Sequence, residues 1–161
     1  MKIVFFTFYY PPDLSAGSFR SIALAKALSS KMEEGDELHV ITTHPNRYAN
    51  LRVVADDLEV DGKITVHRIA VPTHQSEMVS QARNFGVYAV SAYSLSRKIN
   101  PNFLIGSTAR LMTGVLTGIT AYTLSIRYFI DLRDIFSETM SDLFSRKNRL
   151  LGLIAKKLFS F

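Results

Sequence analysis

The chain has 161 residues, 47% apolar and 20% charged, an ordinary globular composition that suits one domain with a real core. It has no cysteine, which excludes a disulfide framework and a cysteine-held zinc site. The formal net charge of +5 is local: up to Ser145 fourteen basic residues face fourteen acidic ones, and Arg146, Lys147, Arg149, Lys156 and Lys157 supply the whole excess. This argues against a generally basic, nucleic-acid-binding surface and for one basic face in the last segment.

The opening MKIVFFTFYYPP has one lysine and a short apolar run, as a signal peptide does. The run ends at Pro11 without a small-residue cleavage site, and its Val, Phe, Tyr and Thr content predicts a strand over Ile3–Phe8. Ser18–Met32 follows as a helix, with Ser21, Leu24, Ala25, Leu28 and Met32 on one face and Ser18 as its cap. Gly35-Asp36 turns the chain into a second strand, Leu38–Thr43. His44–Asp61 is polar and without strong periodicity, and Leu51–Leu58 reads equally as a short helix or a strand. Gly62 turns the chain into a third strand, Ile64–Val71, which ends at Pro72. Glu77–Ile99 is a long helix, with Met78, Ala82, Phe85, Ala89, Ala92, Ser96 and Ile99 at alternating spacings of four and three, stopped by Asn100-Pro101. Asn102–Gly106 is the fourth strand, and Arg110–Ser125 a helix with little polar surface, expected to pack on the sheet. Its uncharged span, Leu111–Ile126, is 16 residues, short for a bilayer crossing and better read as a buried helix. Arg127–Leu132 is the fifth strand and Ser141–Phe161 a last helix. There is no internal repeat, low-complexity segment or linker.

Strands alternating with helices predict an α/β, Rossmann-like, doubly wound parallel sheet. Right-handed crossovers give the order 3-2-1-4-5. Strands 1 and 4 are then neighbours where the winding reverses, and ligands of such sheets bind at the carboxyl ends of the strands there. Two loops meet that rim, Tyr9–Gly17 and Gly106–Arg110.

The first loop delivers helix N-terminal amides past Ala16-Gly17-Ser18, where little side-chain bulk would bar an anion and the helix dipole favours a phosphate. It also reads as a tight strand-to-helix turn in which Gly17 serves the backbone alone. Neither GxGxxG nor GxxxxGK[ST] is present. In FIDLRDIFSE, Phe129–Glu138, Asp131, Arg133, Asp134 and Glu138 gather at a strand end. They could orient a hydroxylated ligand, or Arg133 could pair with a carboxylate while Asp134 or Ser137 caps the last helix. THPNRY, Thr43–Tyr48, opens toward the same rim and offers His44, with no acid–base partner evident. His39 and His67 lie in strands, and His74 is a further rim candidate. The four histidines lack metal-ligand spacing, and there is no GxSxG. Gly114-x-x-x-Gly118 is expected to report close helix–sheet packing. On the last helix, Phe144, Leu151, Ile154, Leu158 and Phe161 share one side, and Arg146, Arg149, Lys156 and Lys157 gather on the other, with Lys147 as an exception. Such a helix can lie on an anionic membrane or dock by its apolar face with the basic face solvated.

Taken in order, these segments resemble the N-terminal half of a GT-B glycosyltransferase of the family 4 type, especially the bacterial surface-polysaccharide branch. KIVFFTFYYPPDLSAGSFRSIALAKALSSK resembles that family's first strand, Tyr-Pro-Pro segment, Gly-rich turn and first helix. HVITTHPNRY, DGKITVHRI and IGSTARLMTGVLTG resemble the next elements, and FIDLRDIFSE its Arg-Asp-Leu-Trp-Pro-Glu signature. Three departures stand out: Ala16-Gly17 for a double glycine, Ile135-Phe136-Ser137 inside the signature with its proline lost, and Ser107-Thr108 where many relatives have a histidine.

The resemblance implies an acceptor-side domain spanning 1–161 of a retaining, metal-independent enzyme without cofactors. That enzyme would move a sugar from a nucleotide-sugar donor to a glycan or polyprenyl-diphosphate-linked acceptor in cell-surface polysaccharide synthesis. It implies that a second Rossmann-like domain, absent from this chain, grips most of the donor, so that these 161 residues alone have little activity. It places Ala16, Gly17, Ser18 and Arg20 near the donor, and His44, Arg47, Ser107 and Thr108 at the acceptor rim. Arg133, Asp134 and Glu138 are orienting or structural, and Arg146, Lys147, Arg149, Lys156 and Lys157 face a membrane. The expected location is the cytoplasm or the inner face of the cell membrane. The rival reading is a non-catalytic Rossmann-like domain that binds a membrane surface or a nucleotide.

Overall fold

The computed structural model describes residues 1–45, 55–72 and 78–133. By its contacts the chain divides into two compact units, 1–131 and 132–161, and every element named below lies in the first. The elements are β1 (Lys2–Phe6), α1 (Ala16–Ser29), β2 (Glu37–Thr43), β3 (Leu58–Asp61), β4 (Ile64–Ile69), α2 (Met78–Ile99), β5 (Phe103–Ser107), α3 (Leu111–Leu124) and β6 (Arg127–Asp131). They form one six-stranded sheet in the order β3-β4-β2-β1-β5-β6. Its five parallel strands reproduce the expected order 3-2-1-4-5.

The addition is β3, which pairs antiparallel with β4 and joins it through a tight turn at Gly62, φ +59. All four β3 residues are exposed, so this edge strand contributes little to the core. Its signal was the alternation Leu58-Glu59-Val60-Asp61 running into Asp61-Gly62, a short-hairpin signature.

β1 is buried on both faces, which is why it reads as an unbroken apolar run. Val4 and Phe6 join Ile41, Leu104, Tyr88 and Ala92 of α2, and Leu116 and Ala121 of α3. Ile3 and Phe5 join Leu38, Val40, Ile64, Val66, Ile105 and Ala25 of α1. Each buried Val, Leu, Ile or Phe among them stabilises the fold by roughly 1.5–3 kcal/mol. Tyr88, fully buried, donates its hydroxyl toward the carbonyls of Ile41 at 2.8 Å and Thr7 at 3.2 Å, which fixes α2 to the ends of β1 and β2.

The helix ends differ from expectation in one informative place. α1 begins at Ala16, and its cap is Ser15, whose hydroxyl accepts from the Ser18 amide at 3.1 Å; Ser18 lies in the first turn and is not the cap. α2 stops at Asn100, φ 54, before Pro101, as expected. α3 packs on the sheet by one face only: Met112, Val115, Ile119 and Tyr122 are exposed, which corrects its reading as a buried helix. Gly114 does allow close packing, since a β-carbon there would lie 3.1 Å from Thr108 Cγ2, whereas Gly118 has open space. The closest helix–sheet approach is at Gly106 on β5, where a β-carbon would fall 2.0 Å from Thr117 Oγ1. Among the described residues no helix is long and apolar enough to cross a membrane.

Three polar side chains line up across β2 and β4. Glu37 Oε2 lies 3.0 Å from His39 Nε2, and His39 Nδ1 lies 3.1 Å from His67 Nε2. With Glu37 accepting from Nε2–H, a neutral His39 accepts at Nδ1 from His67. Burial, and secondarily the charge of His39, lowers the pKa of His67 below its ordinary 6.5. The folded protein therefore binds this proton less readily than the unfolded chain. The contribution is complete above pH 6.5 and is lost as pH falls through the folded-state value. The urea midpoint should drop on acidification between pH 6.5 and the folded-state value, and His67→Gln should flatten this part of the profile. An unchanged profile in the variant would assign the loss to other groups.

Candidate functional site

The winding reverses between β1 and β5, so the β1–α1 loop and the β5–α3 loop open at the same end of the sheet. The first loop is built mostly from buried residues, Phe8, Tyr9, Tyr10, Asp13 and Ser15, so its backbone needs internal partners. Thr43 donates to the Phe8 carbonyl at 2.8 Å, and Arg68 Nη2 to the Pro11 carbonyl at 2.9 Å. Arg68 also reaches the Asp56 carbonyl and, at 2.6 Å, Glu59. The hydroxyls of Thr7 and Ser21 lie 2.8 Å apart and reach the carbonyls of Tyr9 and Gly17. Burial, then the charges of Glu59 and Asp61, push the Tyr10 hydroxyl up to about 12, so it stays protonated.

This scaffold presents the first turn of α1. Ala16 is exposed and Gly17 half-buried. Gly17 is helical rather than left-handed, so the backbone does not require glycine there. Ser18 is fully buried, and its hydroxyl has no hydrogen-bond partner among the described residues.

The structure gathers several sequence-named residues around Asp131 at the end of β6. Arg20 Nη2 lies 2.6 Å from Asp131 Oδ1, and Ser107 donates to Oδ2 at 3.1 Å. Thr108 donates its amide and its hydroxyl to the Asp131 carbonyl at 3.0 and 3.1 Å. Ser107 and Thr108 are fully buried, so their hydroxyls tie β5 to β6 beneath the rim. Arg20 spans from α1 to β6 and bridges the two sides of the reversal.

His44 sits just past β2 and does have a carboxylate partner, contrary to expectation: its Nε2 lies 2.7 Å from Asp57 Oδ1. Asp57 is thirteen residues away in a stretch without periodicity, so nothing local signalled the pair. With Asp57 91% exposed, the pair is worth little in stability.

Arg110, which by sequence marks only the start of α3, also contributes to the rim. Its guanidinium lies 4.1 Å over the Phe8 ring, and Nη2 donates to the Tyr9 hydroxyl at 3.2 Å. Arg133 is described and engaged in an interaction. Arg47, His74, Asp134, Glu138, Ser137 and the helix expected over Ser141–Phe161 with Arg146, Lys147, Arg149, Lys156 and Lys157 lie outside the described residues, as does the first half of Leu51–Leu58.

The fold is thus a Rossmann-like α/β domain similar in its course to a domain of GT-B-fold proteins. No known protein-family model and no curated protein matches the sequence. Among solved structures, the chain is similar to UGT73P12 of Glycyrrhiza uralensis complexed with glycyrrhetinic acid 3-O-monoglucuronide, with a TM-score of 0.55 and 14% identity over 90% of this chain. A UGT transferase of Siraitia grosvenorii in complex with UDP gives a TM-score of 0.49 and 14% identity over 91%. The chain spans 31% and 32% of the lengths of those proteins.

Proposed function

We propose that the chain is the acceptor-side, N-terminal domain of a nucleotide-sugar glycosyltransferase. The observation that carries this reading is the first turn of α1, with Ala16 exposed and Gly17 without a side chain, at the β1–β5 reversal of a GT-B-like sheet. Ala16 and Gly17 leave room for a donor phosphate to meet the helix amides, where the dipole favours negative charge. Arg20, held by Asp131, flanks that turn. Ser107 and Thr108 act beneath the rim by fixing Asp131, and His44 with Asp57 stands at the end of β2, on the side where the acceptor enters. A second domain would close the cleft and bind most of the donor. The finer expectation, retaining and metal-independent transfer to a glycan or polyprenyl-diphosphate-linked sugar for a surface polysaccharide, follows from the sequence resemblance. The basic residues beyond Ser145 would then meet the cytoplasmic face of a membrane.

The test is a transfer assay on the full protein with nucleotide sugars, a lipid-linked acceptor and a chelator, with the product anomer assigned by NMR. Transfer that survives the chelator and keeps the donor's anomeric configuration is expected. An inverted product overturns the retaining assignment. Absence of transfer together with charge-dependent vesicle binding replaces the enzyme with a membrane-surface domain.

A further inference from the structure

We infer that Arg68, braced by the β3–β4 edge hairpin, is a positioning residue for the donor: it holds the β1–α1 loop so that the first turn of α1 stands ready, without touching the ligand. This rests on the donor meeting α1, and it assigns a buried charge that the proposed function leaves unused.

Alternation along β4 puts Arg68 on the face of Ile64 and Val66, the face that α1 covers. Its side chain is 2% exposed, so a charge that belongs in water is buried beside the loop. The guanidinium divides its donors between two segments. On the β3 side, Nη1 donates to the Asp56 carbonyl at 3.0 Å and Nη2 to Glu59 at 2.6 Å. Across 57 positions, Nη2 also donates to the Pro11 carbonyl at 2.9 Å. The Arg68 amide meets the Asp57 carbonyl at 2.8 Å, which draws the hairpin in beside it. A planar fork fixed by two acceptors aims its remaining donor capacity in one direction, here at the loop. Nε has no hydrogen-bond partner among the described residues, so this placement is not the one that stability alone selects. The same contacts give β3 a use: all four of its residues are exposed, and what the hairpin supplies is the brace.

From Pro11 the chain reaches α1 through short local bonds. The Asp13 amide meets the Tyr10 carbonyl at 3.1 Å, the Ser15 amide the Asp13 carbonyl at 3.1 Å, and the Ser18 amide the Ser15 carbonyl at 2.9 Å. Such bonds keep the loop's shape but not its place on the sheet. Thr43 and Arg110 hold Phe8 and Tyr9, further from α1, whereas Arg68 holds Pro11. Without that tie the loop takes more than one placement, and only a fraction of molecules has the turn ready. Donor affinity falls in proportion to that fraction, while bound donor restores the ready loop and keeps turnover at saturation. The signature is a raised donor KM with kcat kept. An arginine that served stability alone would lower the unfolding midpoint and leave both constants of the folded protein unchanged.

Donor kinetics of the full protein, together with amide hydrogen exchange at Asp13, Ser15 and Ser18, test this. Arg68→Met should raise the donor KM about tenfold, and Arg68→Lys, which keeps the charge but not the fork, about threefold, with kcat and the acceptor KM within about twofold of the wild type. Glu59→Gln loosens the brace and should move the donor KM the same way. Exchange at the three loop amides should quicken in Arg68→Met. Ile64→Val, at the other end of β4, also lowers stability and should change neither readout. Should Arg68→Met fail to fold, Arg68→Lys carries the test. A donor KM that stays put, a loss confined to kcat, or an equal shift in Ile64→Val overturns the inference. Absence of transfer by the wild type sinks the enzyme reading alone; exchange then decides, and unchanged exchange at these amides in the Arg68 variants overturns the positioning role.

Discussion

Gly106→Ala should destabilise the protein by about 3 kcal/mol, the upper range for forcing a methyl into a packed core. The new β-carbon would fall 2.0 Å from Thr117 Oγ1, 2.9 Å from its Cβ and 3.1 Å from its Cγ2. Thr117 cannot swing away cheaply. It is fully buried, and its hydroxyl donates to the Thr113 carbonyl at 2.8 Å within α3. The helix would have to lift from β5, which carries Ser107 and, through it, the Asp131 cluster. Thr117→Ala should rescue part of the loss, because it removes the oxygen and the methyl but leaves the Cβ contact. Gly118→Ala is the control on the same helix: with nothing within 4 Å it should stabilise by roughly 0.5–1 kcal/mol through helix propensity alone. Urea denaturation of the three variants measures this. Equal effects at Gly106 and Gly118 would show that α3 does not press on β5 at Gly106.

Most of the parallel sheet was legible because its strands are short apolar runs separated by helices with clear stops, such as Asn100-Pro101. The order followed from handedness alone. β3 was harder: its residues are all exposed, so no burial requirement enforced a strong pattern, and only a four-residue alternation running into Asp61-Gly62 marked it. The cap of α1 was misplaced by three residues because Ser15 and Ser18 are both competent caps, and only the chain's path out of Asp13 selects Ser15. The site was legible to the extent that topology chose the rim. Its pairings were not, since Arg20 meets Asp131 across 111 positions and Arg110 meets Tyr9 across 101. Such contacts are set by which strands become neighbours. Gly114-x-x-x-Gly118 shows the converse limit: two glycines in one motif, of which only Gly114 faces a neighbour.

Gly17→Val should lower sugar transfer by the full protein at least about a hundredfold while leaving its unfolding midpoint nearly unchanged. The two halves of this expectation have separate causes. Stability is spared because Gly17 is already helical, with no left-handed φ that valine could not adopt. In a first helical turn the propensities of Gly and Val differ by only a few tenths of a kcal/mol. Ser15 still caps Ser18, and Ser21 still reaches the Gly17 carbonyl, because both bonds use backbone atoms of the turn. Transfer is lost because a branched side chain would stand over the amides that the proposed donor phosphate must approach, and a displacement of about 1 Å suffices for a hundredfold loss. Gly17→Ala should fall between the two, since Ala16 beside it already carries a methyl on this turn. Kinetics should show the loss in kcat/KM for the donor, with the acceptor KM little changed. A Gly17→Val protein that turns over normally would move the donor away from α1. One that unfolds would show that Gly17 fills a packing role at the sheet, and Gly17→Ala would then decide whether transfer depends on this turn.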